Sequence, residues 1–139
     1  MTTFESRQTQ IHKNSEELFN FFSDLNNIEK FKDKIPNDKI QGLEYTTDSL
    51  SVSISPVGRI SFRISERNPF ERVMFVTEDA PVALQFEVLL YQQQQEEETI
   101  FQVIAKADIN PFIKPMISKP LQDAVDKIAE TFAMMFNHV

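Results

Sequence analysis

One long apolar repeat dominates the C-terminal part of the sequence, where residues 117–135 read ISKPLQDAVDKIAETFAMM. Apolar side chains recur there every three or four residues, which predicts an amphipathic helix with one buried face. Because Pro115 and Pro120 fall in the first part of this pattern, we expect a broken start over 111–118 and a regular helix over 119–136. The apolar stripe comprises Ile117, Leu121, Ala124, Val125, Ile128, Phe132 and Met135.

The middle of the sequence has a different period, because apolar and polar residues alternate one by one after residue 38. In residues 50–54, Leu50, Val52 and Ile54 are separated by serines. A period of two with short turns predicts antiparallel strands that have one buried face and one wet face. The same alternation recurs in residues 60–64, 84–90 and 101–107. Turn-forming residues interrupt the pattern at 36–38, 56–58, 68–69 and 79–81.

The N-terminal part predicts a strand followed by two short helices. Residues 2–12 are extended in character, and Asn14 or Ser15 is a suitable N-cap for a helix. Glu16 and Glu17 then occupy the first turn, where the helix dipole favours acidic side chains. Ser23 and Asp24 are suited to cap a second short helix. The apolar residues at helical spacing in the two helices are Leu18, Phe21, Phe22, Leu25, Ile28 and Phe31.

Composition excludes several classes of protein. The chain has 139 residues, of which 41% are hydrophobic and 25% charged, as in a globular domain. Its formal net charge of −7 argues against a nucleic-acid module and against electrostatic docking on an anionic membrane. With no Cys and two His, cysteine and histidine-rich metal sites are excluded, and we expect no metal and no cofactor.

Targeting and membrane signals are not visible in the sequence. The first residues contain no apolar segment typical of a signal peptide, and no stretch approaches the roughly 20 apolar residues that span a bilayer. We therefore expect a cytoplasmic protein without membrane insertion. The chain shows no internal repeat and no linker, so residues 1–139 are expected to form a single domain.

The order of elements resembles the START/birch-pollen-allergen superfamily, also called SRPBCC or polyketide cyclase-like. Local stretches are similar to small bacterial members: Phe4–Ser6, Phe22–Asn27, Ala107–Phe112 and Lys119–Gln122. The resemblance implies an α+β helix-grip fold, with two short helices after the first strand. A curved antiparallel sheet of about six to seven strands would wrap around the long C-terminal helix.

The helix-grip arrangement implies an internal cavity between the sheet and the long helix. The expected function is the binding or sequestration of a small hydrophobic molecule, lipid-like or aromatic, in that cavity. A core filled by the many Phe rings is the alternative interpretation. The expected lining residues are Phe22, Leu25, Val52, Ile54, Ile60, Phe62, Phe75, Phe86, Val88, Phe101, Val103, Ala105, Met116, Ile117, Leu121 and Val125. The small Ala105 and Ala107 on an inward face slightly favour open volume.

Inward polar groups are scarce, so no catalytic residue is assigned. Gln8 in the first strand and Tyr45 in the second are candidate polar anchors for a ligand, although Gln8 at a sheet edge would meet water instead. A cyclase or hydrolase of the same superfamily is the alternative function, and it would need Tyr45, Gln8 or an arginine in the cavity. By alternation the strands' charged residues point outward; they are Arg59, Arg63, Glu87, Lys106 and Asp108.

A third alternative is a protein-interaction module of the chaperone-activator kind. Its mark would be an exposed apolar patch, and four apolar residues lie on nominally outward faces: Met74, Val76, Leu89 and Ile104. The same residues are also suited to a homodimer surface. The expected partner is otherwise the small hydrophobic molecule, with no nucleic acid.

Overall fold

Eight strands and three helices make up the described part of the chain, which in this computed structural model covers residues 1–30, 33, 40–54, 58–79, 83–95 and 97–137. The strands are β1 (Thr2–Glu5), β2 (Thr9–Ile11), β3 (Ile40–Tyr45), β4 (Ser49–Ile54), β5 (Gly58–Asn68), β6 (Arg72–Asp79), β7 (Leu84–Gln92) and β8 (Thr99–Ala107). The helices are α1 (Ser15–Phe22), a 3₁₀ helix (Leu25–Lys30) and α2 (Lys114–Asn137). The predicted turns at 36–38, 56–57 and 80–81, and Phe31, lie outside the described residues.

The strands form one open antiparallel sheet in the order β1-β8-β7-β6-β5-β4-β3, and β2 also pairs with β8. Together with the long C-terminal helix, this confirms the predicted helix-grip fold. The strand count is eight rather than six or seven, partly because the first extended segment divides into β1 and β2.

Ser6 holds the interruption between β1 and β2 against β8. Its backbone N–H donates to the Val103 carbonyl at 2.8 Å, and its hydroxyl accepts from the Val103 N–H at 2.9 Å. The interruption shifts the alternation of the edge, since Phe4 and Ile11 are buried while Gln8 is exposed. Strict alternation through residues 4–10 would have turned Gln8 inward.

The α1 helix begins as the sequence predicts. The Asn14 side chain accepts a hydrogen bond from the Glu17 N–H at 2.8 Å, which satisfies one of the free donors of the first turn. At the other end, the Arg67 guanidinium of β5 donates to the Ser23 carbonyl at 3.0 Å and pairs with Asp48. These bonds fix the two short helices to the β3–β4 hairpin.

The α2 helix is continuous from Lys114, so the broken start expected over 111–118 is wrong beyond residue 113. Pro115 lies in the first turn, where a backbone N–H has no helical acceptor, so its missing donor costs little. Pro120 lies inside the helix at an exposed position. The turn that precedes the helix is capped by Asn110, whose side-chain oxygen accepts from the Phe112 N–H at 2.9 Å.

Polar side chains of α2 tie the helix to the sheet edge formed by β1 and β2. The Gln122 amide donates to the Glu5 carbonyl at 2.8 Å, and the Asn137 amide donates to the Gln10 carbonyl at 3.0 Å. The helix therefore runs along this edge from Gln122 to Asn137. Within the described residues, no helix is long and apolar enough to cross a membrane.

Aromatic rings fill the end of the molecule where α1 meets the C-terminal half of α2. The Phe22 ring stacks on Phe101 with centroids 5.3 Å apart, and Phe132 meets Phe22 edge-on at 5.0 Å. Phe21 and Phe136 add a further edge-to-face contact at 5.0 Å. We call these five rings the filled end.

Candidate functional site

The sheet-facing side of α2 changes in burial along its length. Val125 is 0% exposed, whereas Leu121 and Ile117, one and two turns nearer the N-terminus, are only half-buried. Lys114, seven residues before Leu121 and therefore on the same side of the helix, is exposed. The apolar stripe thus continues into a part of the helix that the sheet does not fully cover.

The inner face of the sheet shows the same incomplete burial opposite this part of α2. Phe62, Phe75 and Phe86 point to the inner face and are half-buried, and the Phe62 and Phe86 rings lie 5.4 Å apart. Phe75 pairs with Phe86, which pairs with Ala105 of β8.

The sheet register brings these two sets of side chains to one region. Gln122 bonds to Glu5, which pairs with Ile104, so Leu121 lies above the β1–β8 pair. Phe86 is the β7 neighbour of Ala105 in that same stretch of β8. Partly exposed apolar side chains of α2 and of the inner face of the sheet therefore lie next to the same stretch of β8. We call Phe62, Phe75, Phe86, Ile117 and Leu121 the inner cleft.

Tyr45 supplies a polar group on the same face of the sheet. It pairs with Leu50, which pairs with Phe62, so all three side chains lie on the inner face. Tyr45 is half-buried against the core, and its hydroxyl makes no hydrogen bond in the described part of the chain. By contrast, the inward Thr77 hydroxyl is already bonded to the Leu84 backbone.

Arg59, Arg63, Glu87 and Lys106 lie on the outer face of the sheet, where alternation predicted them. Their ion pairs there are Arg59 with Glu44 at 3.4 Å, Arg63 with Glu78 at 3.4 Å and Lys106 with Glu87 at 3.5 Å. No group of three or more His, Asp or Glu side chains that could hold a metal ion occurs among the described residues. The inner cleft is therefore an apolar site with one phenol, not a charged one.

The predicted lining residues separate into three sets. Nine belong to the closed core: Phe22, Leu25, Val52, Ile60, Val88, Phe101, Val103, Ala105 and Val125. Five line the inner cleft: Phe62, Phe75, Phe86, Ile117 and Leu121. Met116 lies on the outer side of α2 and is 74% exposed, and Ile54 lies in β4. Because Ala105 is 0% exposed, it adds no open volume to the site.

The two candidate anchors have different surroundings. Tyr45 faces inward, whereas Gln8 is exposed in the interruption between β1 and β2 and faces no apolar space. The outward apolar residues Met74 and Ile104 are half-buried on either side of Glu87, with which both pair.

Sequence reasoning missed the apolar side chains just before and within the first turn of α2. Phe112 is 91% exposed and Ile113 is 40% exposed. A usable signal was present, since the Asn110-Pro111 turn breaks the apolar alternation and directs the next residue away from the sheet.

Comparison with known proteins supports the fold through structure alone. No protein-family model matches the sequence, and no curated protein sequence matches it. A START superfamily protein from Mycobacterium smegmatis superposes with a TM-score of 0.73 at 11% identity, covering 98% of this chain and 97% of that one.

Two further solved structures are similar. Norcoclaurine synthase from Thalictrum flavum, in complex with dopamine and hydroxybenzaldehyde, has a TM-score of 0.68 at 8% identity over 94% of this chain and 86% of that one. A protein of Deinococcus radiodurans has a TM-score of 0.57 at 16% identity over 96% and 98%. At these identities the similarity establishes the fold alone: the chain has the helix-grip fold of these structures, as its sequence predicted.

Proposed function

We propose that the protein binds a small hydrophobic molecule, lipid-like or aromatic, in the inner cleft. The observation that carries this proposal is the partial exposure of apolar side chains on α2 and on the inner face of the sheet, with Leu121 on the helix and Phe86 on the sheet. Apolar side chains that face one another are normally packed to full burial in a core. A hydrophobic ligand between them would remove their remaining surface from water.

The side chains of the cleft define the chemistry of the ligand. The Phe62 and Phe86 rings offer flat apolar surfaces and edges, which suit an aromatic or aliphatic body. The Tyr45 hydroxyl faces the same side of the sheet and is able to donate one hydrogen bond, so a ligand with a single hydroxyl or carbonyl group fits best. An ionised ligand would lose its hydration without gaining an opposite charge.

Catalysis of the cyclase or hydrolase kind is the weaker candidate. The unbonded Tyr45 hydroxyl is the observation in its favour, because a phenol is able to donate or accept a proton during a reaction. Acid–base catalysis generally uses a second positioned group, and the strands' arginines are engaged in pairs away from the cleft. Binding without turnover therefore accounts better for the arrangement.

A neutral apolar dye tests the site directly. We expect N-phenyl-1-naphthylamine to gain fluorescence saturably with the wild-type protein and to be displaced by aromatic or lipid-like compounds that raise the melting temperature. Leu121→Trp places an indole in the cleft and should abolish the saturable signal. Met134→Trp is the matched control, since Met134 is 62% exposed near the other end of the same helix.

The dye experiment has a clear contrary outcome. If folded Leu121→Trp, verified by circular dichroism, binds the dye as the wild type does, the site lies elsewhere. If no compound in a broad panel raises the melting temperature, the binding proposal fails. Native mass spectrometry of the purified protein, compared with its denatured mass, would reveal a ligand carried from the cell.

A further inference from the structure

The segment before and within the first turn of α2 exposes three apolar side chains together. Phe112 is 91% exposed, Met116 is 74% exposed and Ile113 is 40% exposed. The backbone that presents them is hydrogen-bonded, with the Ile113 N–H donating to the Asn110 carbonyl at 3.1 Å and the Met116 N–H donating to the Ile113 carbonyl at 2.9 Å. We call Phe112, Ile113 and Met116 the apolar tip.

The charged residues within the tip segment itself, residues 110–121, are all lysines. Lys114 and Lys119 are both exposed, and neither forms an ion pair within the described part of the chain. No acidic residue occurs between Ile109 and Gln122. Lys106 and the β5 arginines, by contrast, are all held in ion pairs with acidic side chains.

We propose that the apolar tip docks on the surface of a lipid bilayer. Exposed aromatic and aliphatic side chains flanked by lysines match the interface between lipid headgroups and acyl chains. Lys114 and Lys119 would contact anionic headgroups while Phe112 and Met116 enter the apolar boundary. Met116 directly precedes Ile117 of the inner cleft, so docking of the apolar tip brings the inner cleft close to the membrane.

The size and shape of the tip favour a bilayer over a second copy of the chain. Three such side chains offer on the order of 400 Å² even when completely covered. A stable protein–protein interface needs about 800 Å² on each partner. A side chain that is nine-tenths exposed also protrudes, and a protruding side chain inserts into a fluid surface without needing a matching pocket.

The overall charge of −7 does not oppose this docking at short range. Acidic residues Glu16, Glu17, Glu97 and Glu98 lie at the other end of the sheet, beyond the far end of β8. A strand of nine residues is about 30 Å long, and charges at that distance are screened at physiological ionic strength. Asp79, Asp108 and Asp123 are closer to the tip, so the apolar side chains are expected to carry most of the affinity.

Vesicle flotation with the full chain tests the proposal. We use phosphatidylcholine vesicles and vesicles in which phosphatidylglycerol replaces part of the phosphatidylcholine. The wild type should float with both and more strongly with the anionic ones at low salt. Phe112→Ser/Met116→Ser should weaken vesicle binding about tenfold or more, because it removes most of the inserted apolar surface. Met134→Ser, which removes an exposed methionine elsewhere on α2, should bind as the wild type does.

The charge variant and the contrary outcomes complete the test. Lys114→Gln/Lys119→Gln should lose the preference for anionic vesicles and keep the binding to neutral ones. The proposal is overturned if the wild type floats with neither vesicle, or if Phe112→Ser/Met116→Ser floats undiminished. A wild-type dimer in sedimentation velocity that the same double variant converts to monomer would overturn it in favour of a second copy. All variants are exposed-site changes, and an unchanged melting temperature verifies that they fold.

Discussion

The two innermost rings of the filled end differ in burial from the rings of the inner cleft. Phe22 and Phe101 stack and are almost completely removed from water, with the half-buried Phe21, Phe132 and Phe136 around them. In the inner cleft, Phe62 and Phe86 touch each other and are both only half-buried. The two regions share one sheet and one helix, so the difference comes from what covers each. Two short helices close the first region, while only the first turns of α2 border the second.

Truncating a ring should cost far more at the filled end than in the cleft. We expect Phe101→Ala to lower the free energy of unfolding by about 3 to 5 kcal/mol, since Phe101 is fully buried and leaves a cavity. Phe86→Ala should cost less, because the ring is already partly in water. Urea unfolding of both variants measures the difference, and equal losses would mean that the cleft is as closed as the core.

Replacing Pro120, which has no backbone N–H, by a residue that has one should stabilise α2 and therefore the protein. Pro120→Ala supplies an N–H for the Met116 carbonyl and is expected to raise the free energy of unfolding, by at most about 3 kcal/mol. Pro115→Ala is the matched control, since a first-turn N–H gains no helical acceptor. Thermal melts of the pair compare them, and an equal gain for both would contradict this account of Pro120.

Ser6→Ala should weaken the attachment of the β1–β2 edge to β8. The buried Val103 N–H would lose its side-chain acceptor, at a cost of about 1 to 3 kcal/mol. Ser23→Ala removes a long hydrogen bond at an exposed position and should change stability by under about 0.5 kcal/mol. Chemical unfolding distinguishes them, and a neutral Ser6→Ala would show that the edge does not depend on this hydroxyl.

Tyr45→Phe should leave stability almost unchanged, within about 0.5 kcal/mol, because the hydroxyl has no partner to lose among the described residues. Its effect should appear in binding, as a several-fold weaker affinity for cleft ligands that carry a hydroxyl or carbonyl. Tyr91→Phe on the outer face serves as control. Titration of matched ligands with and without the polar group decides whether Tyr45 is an anchor.

Periodicity was sufficient to predict most of the fold. The apolar stripe through Val125 and Phe132 and the alternation of Leu50, Val52 and Ile60 specify buried faces directly, and the cap at Asn14 marks the start of α1. The interruption after Glu5 was not predictable, because residues 2–12 keep an extended character while the alternation shifts at Ser6 through hydrogen bonds to β8. Pro115 led to the prediction of an interrupted helix start, because a proline inside a helix removes a hydrogen bond. A proline in the first turn is compatible with a helix, so α2 starts without interruption.

The sequence predicts which residues lie on the inner face of the sheet, but not which part of that face α2 covers. Sequence alternation places Phe86, Val88 and Val103 on one inner surface, and it cannot tell which of them α2 covers. That distinction depends on where the helix lies, and Gln122 and Asn137 set its position through bonds to the edge strands. The inward direction of Tyr45 similarly rests on the pairing of β3 with β4, which includes a register shift between Gln41 and Glu44.

The attachment of α2 to β1 and β2 has a consequence for how the chain folds. Glu5 and Gln122 are bonded across 117 residues of sequence, and Gln10 and Asn137 across 127. Contacts this distant in sequence form slowly, because a long loop must close before they gain any free energy. During synthesis the strands emerge before α2, so the apolar inner face of the sheet stays uncovered until α2 has been made. A nascent helix-grip chain is most prone to aggregation during that interval. Chaperone protection would therefore matter most between the synthesis of β8 and the docking of α2.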